Sequence, residues 1–212
     1  MSAQPQSSPQ DTSGIRSVLS LAPVYRLAQS LIGADRFRRV IADEVLAVAD
    51  GDRMLDLGCG TADILEHLPD IDYLGFDPSD RYVDAAAARF GHRGTFVTSL
   101  DSIPDDVLAD RSIVTAIGVF HHMDDDTVHE SLDLATRVLR PGGRFVSVDP
   151  TFTDDQHRVA RALISRDRGR HVRTPAQMEA LIGAHFASCE VSVRHDLLRT
   201  PYTHVIVQAS AT

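Results

Sequence analysis

Apolar residues recur along this chain in two rhythms, and the rhythms alternate. Short, nearly unbroken apolar runs at 53–57, 73–76, 95–98, 113–119 and 144–148 read as strands buried on both faces. Between them lie stretches of helical spacing, among them 82–90 and 128–139. Ser79 and Asp80 precede the first of these, and Asp124 to Asp126 the second, so acceptors and negative charge stand at the positive helix end. The chain leaving the first strand is expected to enter a helix near Thr61. Pro141-Gly142-Gly143 marks a tight turn into the fifth strand. A helix over 175–182 is followed by two apolar runs, 189–194 and 203–208, joined by a polar connection with Pro201, which predicts a terminal antiparallel hairpin. Strand and helix in repeated alternation imply an α/β fold with a doubly wound parallel sheet and right-handed crossovers.

Upstream of the sheet, Leu19, Tyr25, Leu27, Leu31 and Ile32, then Phe37, Val40, Ile41, Val45 and Leu46, recur at helical spacing, with Pro23 opening the first helix and Gly33 closing it. Residues 1–14 are rich in Ser, Gln and Pro and read as a flexible tail, leaving 15–212 as one domain. The composition, 43% hydrophobic and 24% charged, is that of a globular chain. No apolar run approaches the ~18 residues of a membrane span, and the first residues lack a basic start or an apolar signal core, so a cytoplasmic protein is expected. Cys59 and Cys189 are then reduced thiols. A net charge of -9 argues against broad nucleic-acid binding. The sequence contains no lysine, which eliminates Schiff-base and lysine-base mechanisms.

The chemistry concentrates in Met54-Leu55-Asp56-Leu57-Gly58-Cys59-Gly60-Thr61-Ala62-Asp63, a strand running into a glycine turn. Gly58 and Gly60 let the backbone turn sharply and lie against a ligand without a Cβ in the way. Asp63 stands where a dinucleotide site has its third glycine, and a negative charge there is unsuited to pyrophosphate. The second strand ends at Asp77, in Gly75-Phe76-Asp77-Pro78, and an acceptor-only carboxylate at that place suits the two hydroxyls of a ribose. Asp56, Gly58, Gly60 and Asp77 together read as a nucleoside site.

On these residues the chain resembles the class I S-adenosylmethionine-dependent methyltransferases over about 37–209. Asp56 to Ala62 is similar to the family's acidic residue followed by a triple-glycine loop, with Ala62 in place of the third glycine. Gly118-Val119-Phe120-His121-His122 and Leu139-Arg140-Pro141-Gly142-Gly143 are similar to its runs after strand four and before strand five. The resemblance implies a Rossmann-like seven-stranded sheet in the order 3-2-1-4-5-7-6, with the seventh strand antiparallel. It implies S-adenosyl-L-methionine as cofactor, S-adenosyl-L-homocysteine as product, and contacts from Asp56, Gly58, Cys59, Gly60, Asp77, Pro78, Ser99, Leu100, Asp101 and Gly118. The family's acidic residue beside adenine maps to Ser99, counting back from Pro104, or to Asp101. An N-terminal helical lid over 15–50 is also implied, with Tyr25 against the substrate.

The sulfonium is an activated methyl donor, so such a protein mainly aligns a nucleophile and supplies a base where the acceptor must lose a proton. His122 and His121 stand where strand four leaves the sheet and can serve as base or acceptor-positioning groups, or one of them can simply pack or cap the next helix. Asp149, ending strand five, is either a substrate contact or a cap for a helix from Thr153 onward. No metal is expected, since adjacent histidines diverge and Asp124 lacks a ligand frame with them. The run His157, Arg158, Arg161, Arg166, Arg168, Arg170, His171 and Arg173 is either an anion clamp or a solvated face. The reading is methyl transfer to a small-molecule O, N or C nucleophile by a monomer or homodimer that engages neither nucleic acid nor membrane. The competing readings are an RNA or protein methyltransferase and a non-catalytic cofactor-binding protein.

Overall fold

A computed structural model describes residues 33–166 and 169–211. Helix α1 (Ala34–Val40) runs into a π-helical turn, Ile41–Leu46, and the sheet follows: β1 (Arg53–Leu57), β2 (Asp72–Phe76), β3 (Gly94–Val97), β4 (Arg111–Ile117), β5 (Leu139–Pro150), β6 (Ser188–Arg194) and β7 (His204–Ser210). Helices α2 (Asp80–Phe90), α3 (Asp105–Leu108), α4 (Asp125–Val138), α5 (Arg158–Ile164) and α6 (Pro175–Gly183) connect them. The strand order is 3-2-1-4-5-7-6, with β7 antiparallel to both neighbours. Among the described residues, no helix is long and apolar enough to cross a membrane.

Burial on both faces explains why the strands read as unbroken apolar runs. Leu55, Leu57, Val114, Phe145, Val205 and Val207 face one core with α4 and α6, while Met54, Tyr73, Ile113, Val146, Val148 and Ile206 face the other with the π-helical turn. Each such side chain contributes about 1.5–3 kcal/mol. Period-2 alternation also decides the site: Asp56, between Leu55 and Leu57, shares the second face with Tyr73 and with Thr115, its register partner on β4.

Four local expectations are corrected. No α-helix begins near Thr61; the chain makes one 3-10 turn, Asp63–Glu66, because Pro69 leaves too few residues to extend a costly nucleus. Ser79 is the N-cap of α2, yet its side chain caps nothing, and Ser79 N–H donates instead to Asp77. The Pro141-Gly142-Gly143 turn is an irregular bulge inside β5, where the register shifts against β4. Asp149 caps no helix: the next one starts at Arg158, where His157 Nδ1 accepts from Val159 N–H. Helices α3 and α5 and the first residues of β5 were not anticipated. Residues 1–14, Tyr25 and the helix expected over 23–32 lie outside the described residues.

Candidate active site

The loop after β1 is a glycine turn folded over the end of β2. Gly58 and Cys59 N–H both donate to Phe76 O, at 2.7 and 2.9 Å. Gly58 has φ +72° and a Cβ there would stand 2.5 Å from Val119 Cγ2, so glycine is required by a neighbour as well as by conformation. Gly60 (φ +54°) and Gly118 (φ +70°) have nothing within 4 Å of where a Cβ would stand. These two positions leave backbone bare toward open space, the cradle an adenosyl ligand needs. Ala62, in the third-glycine position, is also left-handed at φ 53°, which costs an alanine roughly 1 kcal/mol.

Three carboxylates stand at this loop, and two of them, Asp77 and Asp63, bond its residues. Asp77 Oδ2 accepts from Gly60 N–H at 3.0 Å and Oδ1 from Ser79 N–H at 2.9 Å; Pro78 sits between, its fixed φ helping to set that turn. Each oxygen keeps a further lone pair for a ribose hydroxyl. Asp56 is buried and accepts from Tyr73 Oη at 2.6 Å and Thr115 Oγ1 at 2.7 Å. Desolvation outweighs those hydrogen bonds and raises its pKa to about 6. Asp63 accepts from Arg38 at 3.0 Å, Thr61 Oγ1 at 3.0 Å and Arg89 at 2.5 Å. Its charge is therefore compensated. What disfavours pyrophosphate here is the missing helix N-terminus rather than a free negative charge.

Beside the loop opens a cavity of about 330 Å³, lined by Asp56, Gly58, Cys59, Gly60, Ile117 and, from α1 and the chain around β7, Phe37, Arg38, Leu198 and His204. This is within the size range of small-molecule sites. Bare glycine backbone and a nearby ribose-capable carboxylate fit an S-adenosyl ligand. Cys59 is a loop filler: burial, then Asp56 and Asp77, push its thiol pKa well above the ordinary value.

The histidines separate. His121 is buried, and its Nδ1 lies 2.7 Å from Asp149 Oδ1, which also accepts His121 N–H at 3.1 Å. Asp149 Oδ2 is buried without a hydrogen-bond partner. His122 is exposed, its ring centroid 3.9 Å from that of His121. Of the two, His121 has the geometry of a base oriented by a carboxylate. Gly169 lies over it, since a Cβ there would meet His121 Cδ2 at 2.2 Å, and His171 N–H donates to His121 O.

Ser99 Oγ and Asp101 Oδ2 bond each other at 3.2 Å on the exposed turn after β3, and Leu100 packs its side chain against the first core. Of the arginine run, Arg173 and Arg161 bond other groups of the protein. Arg173 is buried, pairs with Asp125 through Nε and Nη2, and donates to the carbonyls of Phe120 and Met123. Arg161 donates to Thr153 O and lies over the Phe152 ring, and His157 is a helix cap. His157, Arg161 and His171 are all exposed and none lines the cavity. Sequence reasoning missed Phe37, Arg38 and His204. Phe37 had been placed on a core face, and His204 was one histidine at the start of an apolar strand, whose only signal was its place at the carboxyl edge of the sheet.

A methyltransferase-domain family model matches residues 55–145. A protein of Streptomyces fradiae described as an uncharacterized 37.1 kDa protein in transposon TN4556 is 31% identical over 161 residues, covering 73% of this chain and 46% of its own length. The chain thus spans about half the length of that curated relative. Among solved structures, the pyocyanin biosynthetic protein PhzM superposes with a TM-score of 0.72 at 16% identity, over 95% of this chain and 63% of its own. Magnesium protoporphyrin IX methyltransferase (ChlM) of Synechocystis PCC 6803, with bound SAH, gives a TM-score of 0.62 at 15% identity, over 93% and 98%. Residues 55–145 thus match a methyltransferase-domain model, and the seven-stranded sheet, in the order 3-2-1-4-5-7-6, superposes on that of a solved methyltransferase.

Proposed function

We propose that this chain transfers the methyl group of S-adenosylmethionine to an O, N or C nucleophile of a small molecule, with His121 and Asp149 as the proton-accepting pair. The cofactor supplies an electrophilic methyl group. Asp56, Gly58 and Gly60 line the cavity, Gly118 leaves bare backbone at the end of β4, Asp77 binds the ribose, and Ser99, Leu100 and Asp101 stand at the adenine end. The observation that carries the reading is the buried His121–Asp149 pair at the carboxyl ends of β4 and β5, next to the strand that feeds the glycine loop, although neither side chain lines the cavity beside that loop. A carboxylate accepting the Nδ1 proton leaves His121 Nε2 with its lone pair. His122 and His171 are placed at the exposed rim of the same region. A small acceptor is supported by short connections, by a net charge of -9 and by the use of Arg173 and Arg161 within the protein itself.

The test is methyl transfer from labelled cofactor across a metabolite panel, with an RNA and a protein extract beside it. Turnover on a metabolite that falls about a hundredfold or more in Asp149→Asn supports the proposal. Transfer confined to the macromolecular extracts overturns the acceptor class, and binding of S-adenosylhomocysteine without transfer to anything indicates a non-catalytic cofactor-binding protein.

A further inference from the structure

The two members of the His121–Asp149 pair follow different strands, and little holds them in line. Asp149 Oδ1 receives both of its hydrogen bonds from His121, ring and main chain, while the buried Oδ2 has no partner. Among the described residues no third group therefore fixes the carboxylate, and its bond to Nδ1 depends on how the turn Phe120–His122 sits against the end of β5. Arg173 touches both sides of that junction. Its Nη1 donates to Phe120 O at 2.7 Å and its Nη2 to Met123 O at 2.8 Å, the carbonyls that bracket His121 and His122. Its own carbonyl accepts from Thr151 Oγ1 at 2.8 Å, two residues beyond Asp149. The chain just before it lies on the base itself, through His171 N–H to His121 O, and Arg173 Nη1 reaches His171 O at 3.3 Å.

Arg173 and Thr151 are both buried. Taking a guanidinium out of water is costly, and apolar packing of similar volume is often as stable or more so; what the cation supplies instead is a fixed geometry. The ion pair with Asp125 does not account for it, since that carboxylate is largely exposed and solvent screens the attraction. The planar fork does account for it. Nε, Nη1 and Nη2 are all used, on Asp125 and on the two carbonyls, and a single ammonium could not span those acceptors. We propose that Arg173 is the positioning residue of the proton-accepting pair. Its fork holds the turn that carries His121, its carbonyl holds Thr151 and with it the end of β5, and together they keep Nδ1 on Asp149. The inference rests on the reading of His121 and Asp149 as that pair.

The experiment is NMR of the imidazole nitrogens and their protons in protein carrying isotope-labelled histidine, with His121 assigned from the signals lost in His121→Gln. The wild type should show one His121 tautomer, protonated at Nδ1, its proton deshielded by the short bond to Asp149. In Arg173→Lys that proton should be lost to exchange and the nitrogen shifts should move toward an average of the two tautomers, while the affinity for S-adenosylhomocysteine, measured by calorimetry, stays at its wild-type value. Thr151→Val, which removes only the Oγ1 donor, should give part of the same change, and it decides the matter should Arg173→Lys fail to fold. Asp125→Ala removes the ion pair, leaves the carbonyl bonds and should keep the wild-type signal. An unchanged His121 signal in Arg173→Lys and Thr151→Val would overturn the inference, as would an equal loss in Asp125→Ala, which would move the effect to the ion pair. Weaker binding of S-adenosylhomocysteine in step with the His121 change would make Arg173 a support of the whole fold rather than of the pair, and would also overturn it. Absence of the Nδ1-protonated form in the wild type is a distinct result, one that removes His121 and Asp149 as the proton-accepting pair.

Discussion

Asp56 makes the sharpest prediction about stability, because the site holds a carboxylate where the fold alone would not. Its pKa rises from 3.8 to about 6, chiefly through desolvation. Below about pH 4 the group is protonated in both folded and unfolded chains and contributes nothing to the difference. Between about 4 and 6 the unfolded chain loses the proton while the folded one retains it, so stability falls as pH rises, and above 6 the loss is complete. Two pKa units correspond to about 3 kcal/mol. Asp56→Asn removes the buried charge at nearly constant shape, but the amide cannot accept from both Tyr73 and Thr115 as the carboxylate does, which returns about 1 kcal/mol. The net expectation is a protein more stable by about 2 kcal/mol at pH 7, a rise in Tm of about 4–8 °C for a chain of this size. The advantage should vanish between about pH 4 and 5 and give way below about pH 4 to a variant less stable by about 1 kcal/mol. Urea unfolding of both proteins from pH 4 to 7.5 is the assay. A variant less stable at pH 7, or a difference that does not change with pH, would refute the reasoning. The same variant should bind S-adenosylhomocysteine more weakly, showing that the carboxylate is kept for the ligand at the expense of the fold.

The other predictions concern the loop and its surroundings. Gly58→Ala should destabilise by about 1–3 kcal/mol, since its Cβ meets Val119; adding Val119→Ala should recover the packing part and leave the positive-φ part, as chemical denaturation of the three proteins would show. Ala62→Gly should raise stability or leave it unchanged although it deletes a buried methyl, because the left-handed backbone is relieved; a loss above about 1 kcal/mol would contradict the strain. Cys59 should resist iodoacetamide at pH 8 in the native protein, its thiol held protonated by burial and two carboxylates; labelling as fast as in the denatured chain would contradict this.

Much of the fold was legible because burial on both faces writes a strand as an apolar run. The core segments of all seven strands and the antiparallel hairpin follow from that pattern, and the strand order came with the family resemblance. What failed was local. The helix expected after Thr61 rested on a general strand-turn-helix frame, and Pro69 overrode it. Leu139 to Gly143 read as a turn, yet they join β5 as a bulge because β4 begins early enough, at Arg111, to pair with Leu139 ahead of the irregularity. In the site, residues joined through the sheet were the hard part. Asp56 and Asp77 were visible from the motif, whereas the bonds from Tyr73 and Thr115 to Asp56 depend on register between three strands. His121 and Asp149 were each singled out, but no spacing announced that they would meet. His204 lay in an apolar strand, where a single histidine reads as core.

The central claim is that the glycine loop and Asp77 form an S-adenosyl site. The measurement that tests it most directly is calorimetric titration of S-adenosylhomocysteine into the wild-type protein and Asp77→Ala. Saturable one-to-one binding by the wild type, weakened at least about tenfold in the variant while its fold is retained, is the predicted result. No binding by the wild type, or equal affinity in the two proteins, would contradict it.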